Sequence, residues 1–245
     1  MIPRGEACRA LNCPQVDIGY AGPCDPPRAL GGWIGCAMSF TQRLSQSKSK
    51  EPNEGLAVAK IVLYTLTSLD GATQDPHRYF PETGEGAGPP VFDEELARLE
   101  ADMISRQDAV LMGRHTYDQW SRYWPMSTEQ PFADFINRVR KYVVTSTALS
   151  SAWDNAEPIR GPLTDVVAEL RARTGGDVGV HGSITLAQSL LAQGLVDELC
   201  LAVGRVVDPV GPRLFAQVGE LRELTLVAAT PTASGSVWLR YRING

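Results

Sequence analysis

Ala109-Val110-Leu111-Met112-Gly113-Arg114-His115-Thr116-Tyr117 is the stretch on which the fold turns. Its four apolar residues leave no polar face, as in a central parallel strand covered on both sides. Gly113 ends the run and lets the backbone bend close to a ligand, and Thr116 is placed to N-cap a helix running on through Tyr117, Asp118, Gln119 and Trp120. A strand that feeds a helix start opens a crevice where free backbone N–H groups attract phosphate, and Arg114 adds a fixed cation. Taken alone, the nonapeptide also reads as an ordinary strand-to-helix turn with a solvated arginine.

The pattern repeats on both sides. Upstream, Lys60 to Leu66 reads as the first buried strand and exits through Thr67-Ser68-Leu69-Asp70-Gly71. A Pro- and Gly-rich loop from Gln74 to Pro90 follows, long enough for a lid. Asp93 then caps a helix whose apolar face is Phe92, Leu96, Leu99 and Met103. Downstream come a helical stripe of Phe132, Phe135, Ile136 and Val139, a strand from Lys141 to Ser146, and a 153–162 loop. A helix from Thr164 closes at Gly175-Gly176. The strand Asp177 to His181 runs into Gly182-Ser183-Ile184-Thr185 and another helix. Val196 to Val203 is a further strand, and Leu224 to Ala228 with Ser236 to Ile243 forms an antiparallel pair. The predicted fold is α/β: a mainly parallel central sheet flanked by helices, with a C-terminal antiparallel hairpin. Ligands bind such sheets beyond the carboxyl ends of the strands. Four of those ends, at 68–71, 113–116, 145–146 and 182–185, are small and polar.

Composition sets the outer limits. The chain has 245 residues, 43% of them hydrophobic and 21% charged, with a formal net charge of −5. That balance gives no electrostatic reason to expect nucleic acid or an anionic membrane as partner, and no apolar run reaches the roughly 20 residues of a membrane span. Residues 1–57 are rich in Pro, Gly and Ser without helical or strand period and are expected to be a disordered extension, with Met38 an alternative start. The domain proper is expected over 58–245. Ala29 to Met38 is a poor secretory signal, being far from the N-terminus and lacking Leu or Val three places before Cys36. Cys8, Cys13, Cys24 and Cys36 lack the paired spacing of a zinc knuckle, so no metal is expected, and Cys200 reads as a core thiol. A reducing, cytoplasmic setting follows.

Two glycine-to-helix turns plus a Thr-Ser strand end suit a dinucleotide, since each helix start can neutralise a phosphate. Neither turn is a Walker loop, and no G-x-G-x-x-G follows the first strand. As a set, Ser68-Leu69-Asp70-Gly71, Leu111 to Tyr117, Trp124-Pro125, Lys141-Tyr142-Val143-Val144, His181-Gly182-Ser183 and Gly194 to Leu199 resemble the dihydrofolate-reductase-like superfamily. The branch is that of the reductase (C-terminal) domain of the riboflavin-biosynthesis protein RibD, and the likeness covers about residues 58–243. It implies a homodimeric reductase that passes a hydride from NADPH to a pyrimidine or related small heterocycle, such as 5-amino-6-(5-phosphoribosylamino)uracil.

By the same resemblance Gly113, Arg114 and Thr116 would hold cofactor phosphates, and Thr145 and Ser146 would flank the adenosine. Gly182, Ser183, Ile184 and Thr185 would bind the pyrophosphate, while Ser68 and Asp70 would face the reacting ring, with Asp70 as the proton source. Asp70 reads equally as a turn residue bonding its own backbone. His115 and His181 read as structural, Trp120 and Trp124 as packing, and Asp197-Glu198 as a turn or subunit contact. Ala97 stands where folate reductases carry a carboxylate, and Glu94, Glu95 and Glu100 are expected to point elsewhere, which disfavours dihydrofolate. Thr147 replaces a basic residue that reads the extra phosphate of NADP, leaving that to Arg114, and the Val207 to Phe215 loop keeps one glycine where relatives have two. The zinc-deaminase half of the riboflavin protein is not in the sequence, which lacks H-x-E with P-C-x-x-C. A pterin or folate reductase of the same fold, and a nucleotide-binding protein without catalysis, are the competing readings.

Overall fold

The alternation of apolar runs and amphipathic stretches is realised as eight strands and six α-helices among the residues that the computed structural model describes, 59–81, 91–149 and 151–244. The 1–57 extension and most of the expected lid lie outside the described residues. In chain order the elements are β1 (Ile61–Thr67), α1 (Pro76–Tyr79), α2 (Glu94–Ile104), β2 (Gln107–Gly113), α3 (Arg114–Tyr123) and a 3-10 turn (Trp124–Met126). Then follow α4 (Phe132–Arg138), β3 (Arg140–Val144), β4 (Ala156–Ile159), α5 (Leu163–Arg173), β5 (Asp177–His181), α6 (Ile184–Ala192), β6 (Glu198–Val203), β7 (Leu224–Pro231) and β8 (Val237–Ile243). None of these helices is long and apolar enough to cross a membrane.

The strands form one sheet in the order β4-β3-β2-β5-β1-β6-β8-β7. The first six are parallel neighbours, and β8 joins β6 and β7 antiparallel. This is the mainly parallel sheet with a C-terminal hairpin that the sequence predicts. After β4 the chain returns to insert β5 between β2 and β1, so the order reverses beside β2 and the crevice opens there.

The apolar run of β2 is buried on both sides. Val110 and Met112 face a layer with Leu96, Met103, Tyr117 and Ile136 from α2, α3 and α4. Ala109 and Leu111 face the opposite layer, with Val166, Leu170 and Leu190 from α5 and α6. All four are fully buried, and each larger side chain contributes about 1.5–3 kcal/mol by leaving water. Asp93 caps α2, accepting from the Leu96 amide at 3.0 Å, and Cys200 is buried in the core.

Two expectations need correction. The 153–162 segment contains a strand, β4, paired parallel with β3. Its sequence, Ala-Glu-Pro-Ile, lacks a clean alternation, and Pro158 is tolerated because the strand is an edge. Thr116 is not the cap of α3. The helix begins at Arg114 directly from the extended Gly113, which puts Thr116 inside its first turn.

At the amino ends of the strands the charges serve the sheet. Asp197 Oδ2 accepts from the Ile61 amide at 2.7 Å and from Arg171 at 2.6 Å. Glu198, buried, is held by Arg240 at 2.6 Å.

Candidate functional site

At the carboxyl ends of β1, β2, β3 and β5 lies a cavity of about 1390 Å³. Pockets for a single drug-sized ligand occupy roughly 300–1,000 Å³, so this one has room for a cofactor and a substrate together. Gly113, Arg114 and Thr116 line it, as do Gly182, Ser183, Ile184 and Thr185. Thr145 and Ser146, the other two residues expected to hold cofactor, lie beyond the end of β3 and are not on its wall.

The strand ends are tied by one hydroxyl. The Gly113 amide donates to Ser183 Oγ at 2.9 Å, and Ser183 Oγ donates to Thr116 Oγ1 at 2.8 Å. Thr116 Oγ1 in turn donates to the Gly182 carbonyl at 3.3 Å. The starts of α3 and α6 therefore sit side by side, as β2 and β5 are neighbours in the sheet. Neither helix has a side-chain cap, which leaves first-turn amides directed at the cavity. Gly182 has φ +65°, and a Cβ there would collide with the Trp120 indole, so only glycine fits. Two uncapped helix starts joined over one cavity fit a diphosphate.

Arg114 borders the same wall. Its Nε pairs with Asp118 at 2.8 Å, and its Nη1 donates to Thr147 Oγ1 at 2.7 Å and the Ala148 carbonyl at 2.8 Å. The loop after β3 is thus bound to this guanidinium, although Thr145 and Ser146 do not reach the cavity themselves.

Ser68 and Asp70 are elsewhere, and the expectation that they face a reacting ring has no geometric support. Ser68 Oγ donates to Asp70 Oδ1 at 2.6 Å and accepts from the Ala72 amide at 2.9 Å. Asp70 also accepts from the Asp208 amide at 3.0 Å and pairs with Arg213 at 2.9 Å. These partners, led by the Ser68 hydroxyl and the Asp208 amide, hold its carboxyl below the usual range. Asp208 accepts from the Tyr79 hydroxyl at 2.9 Å, so the assembly clamps β1, α1 and the 208–213 loop. Neither Ser68 nor Asp70 lines the cavity.

The carboxyl group that does line it is Glu100, on α2. It is 5% exposed, and burial, with a smaller contribution from Glu129, pushes it up to about 7. No cation offsets the burial. The neighbouring Tyr64 hydroxyl favours the charged form and opposes the shift. Tyr64 lines the cavity, but its hydroxyl is itself buried and faces Glu100 without a hydrogen bond of normal geometry. The expectation that Glu100 points elsewhere is therefore wrong. Glu100 is four residues after Leu96 and three before Met103, so a 3.6-residue period puts it on their face.

The floor between the two regions is His181, 1% exposed, which joins Gln107 Oε1 through Nε2 at 2.8 Å. Burial lowers its pKa to about 3, so the ring is neutral. Tyr64, Phe132 and Phe135 pack edge-on around it, and the absence of a Cβ at Gly179 leaves room for the pair. Trp120, Trp124 and Phe132 make an aromatic cluster on the wall. Gln74, Asp75, Pro76, His77 and Phe80 form the side nearest α1.

A family model described as the RibD C-terminal domain matches residues 59–238. The chain is 30% identical over 149 residues, 59% of its length and 78% of the other's, to an uncharacterized protein, YyaP, of Bacillus subtilis (strain 168). Its fold is similar to that of a putative riboflavin biosynthesis protein from Shewanella sp. PV-4, with a TM-score of 0.57 and 18% identity over 76% of this chain and 99% of that one. It is similar also to that of a pyrimidine reductase-like protein from Corynebacterium diphtheriae, with a TM-score of 0.54 and 18% identity over 76% and 92%.

Proposed function

From the premise that this chain belongs to the RibD C-terminal domain family, we propose that it is an NADPH-dependent oxidoreductase that reduces a C=N bond of a pyrimidine or related heterocycle. The observation that carries the reading is the Ser183 bridge, which sets two uncapped helix starts side by side on a cavity large enough for a second ligand. In this reading the first-turn amides of α3 and α6 hold the diphosphate. Arg114 opposes the charge of the extra phosphate and sets the preference for NADPH over NADH.

When bound, NADPH supplies the hydride, which adds to the carbon of the C=N bond while a proton adds to the nitrogen. The chain's part is to hold that proton and keep water out. Glu100, with a pKa of about 7, is about half protonated at neutral pH and is poised to donate. Trp120, Trp124, Phe132 and the neutral His181 line the same cavity and would exclude water from the reacting groups.

Titration with NADPH, followed by nicotinamide fluorescence, tests the reading. Binding at micromolar concentrations is expected, weakened about tenfold or more in Ser183→Ala, a loss of roughly 1.4 kcal/mol or more. Arg114→Gln should weaken NADPH more than NADH. Absence of binding at tens of micromolar would leave the chain a binder of some other ligand. Oxidation of NADPH with candidate pyrimidines and pterins then identifies the acceptor.

A further inference from the structure

Lys141 opens the Lys141-Tyr142-Val143-Val144 run of β3, and no part of the proposed chemistry uses it. It is fully buried. Its Nζ donates to the carbonyls of Ile136 at 2.8 Å, Asn137 at 3.3 Å and Val139 at 2.9 Å, at the end of α4. Asn155 Nδ2 donates to the carbonyl between them, that of Arg138, at 3.1 Å. α4 ends in the extended Val139 without a glycine, so its last carbonyls are capped by these two side chains from outside the helix. The ammonium also meets the negative end of the helix dipole, and it lies 4.6 Å from the centre of the Trp153 ring.

Three N–H groups thus meet three carbonyls. A neutral amine has only two, and its lone pair would face a carbonyl oxygen, so loss of the proton obliges the last turn of α4 to resettle. Burial pulls the Lys141 amine down to about 8, with Asp154 opposing the shift. Of the other titratable groups around it, Asp134 and Arg138 of α4 are exposed. The Tyr117 phenol of α3, whose ring lies 6.1 Å from that of Trp153, donates to the Ser151 carbonyl.

The end of α4 is tied to the cavity. Asn137 Nδ2 donates to the Trp124 carbonyl at 2.8 Å, and Asn137 Oδ1 accepts from Trp153 Nε1 at 3.0 Å. Phe132, at the other end of α4, packs on Trp124 and His181, and all three line the cavity.

We infer that Lys141 is a positioning residue for the aromatic wall of the cavity, acting through the end of α4 and Asn137 on Trp124 and Phe132, and that this wall shifts when the buried ammonium gives up its proton. The inference goes beyond the reductase reading and stands apart from it, since it concerns the wall whatever ligand the cavity takes.

Tryptophan emission of the full-length protein tests this, followed between about pH 6.5 and 9.5, a window between ordinary histidine and tyrosine. A transition with its midpoint at about 8 is expected. Lys141→Arg, which stays charged, and Lys141→Met, which carries no charge, should both abolish it, with thermal unfolding checked for each. Should the arginine variant not fold, the methionine variant decides. Trp153→Phe removes the indole that the ammonium touches. The transition should persist in that variant, and adding Trp124→Phe should remove most of what remains. Absence of a transition in the wild type, its persistence in folded Lys141→Met, or its complete loss in Trp153→Phe would each overturn the inference. NADPH titration reads the cofactor cradle separately, so its failure would sink the reductase reading and leave this one standing.

Discussion

Asp70 and Glu100 are two carboxyl groups in opposite circumstances. Asp70 sits in a glycine turn at the end of β1, where Ser68, the Asp208 amide and Arg213 hold it as an anion. Glu100 stands on an apolar helix face, buried, with no cation to steady its charge. The sequence marks Asp70 as chemical, because it follows a strand and precedes a glycine. Glu100, by contrast, reads as one acid among several on a helix. Their difference teaches that a carboxyl is free to exchange a proton near neutrality when its charge is poorly supported, whereas a well-supported carboxylate serves as a clasp.

The comparison can be broken most directly by removing each group. Glu100→Gln should lower kcat at least about 100-fold, the scale of a lost general acid, whereas Asp70→Asn should leave kcat within a few fold. Equal losses would restore Asp70 as a proton source.

Stability against pH should separate the two groups by sign. Between the ordinary glutamate pKa and about 7, the native state keeps a proton on Glu100 that the unfolded chain has released, so stability falls as pH rises through that window. The total is of the order of 2–4 kcal/mol, and Glu100→Gln should abolish it, as seen in urea midpoints at pH 5 and 8. Asp70 acts in the other direction. Its lowered pKa contributes stability above the unfolded value, lost as pH falls through the folded one, and Asp70→Asn should flatten the acid limb only.

A paired serine test sharpens the contrast. Ser68 and Ser183 are both buried and both accept a backbone amide. Ser68→Ala and Ser183→Ala should each cost about 1–3 kcal/mol of stability, but only Ser183→Ala should weaken NADPH. The smallest effect belongs to Tyr64→Phe. Its hydroxyl favours the charged form of Glu100, so its removal should move the alkaline limb of the kcat profile upward.

The parallel strands and the hairpin were legible because burial on two faces writes an unbroken apolar run, as in Val110 to Met112, and because glycine and hydroxyl residues mark where each run ends. The joined helix starts were legible for the same reason. What escaped depends on distant partners. The fate of Asp70 is decided by Asp208 and Arg213, 138 and 143 positions further on. Glu100 could have been found from its spacing to Leu96 and Met103, yet a charged residue in an apolar stripe becomes informative only once Tyr64 is known to face it. The cap of α3 was missed because the Thr116 hydroxyl, instead of turning back on its own helix, crosses to Gly182 on the neighbouring strand. β4 was missed because an edge strand with a proline carries little pattern.

The hydroxyl of Ser183 links Gly113 and Thr116 across 70 and 67 positions of chain. The cradle is complete only with β5 between β2 and β1, so on the proposed reading a fragment ending before β5 should not bind a dinucleotide. Occupancy is consequently coupled to the integrity of the whole sheet. At a hundredfold excess over Kd, a ligand held there adds about 2.7 kcal/mol to the global unfolding free energy, and amide exchange in β2 and β5 should slow in concert.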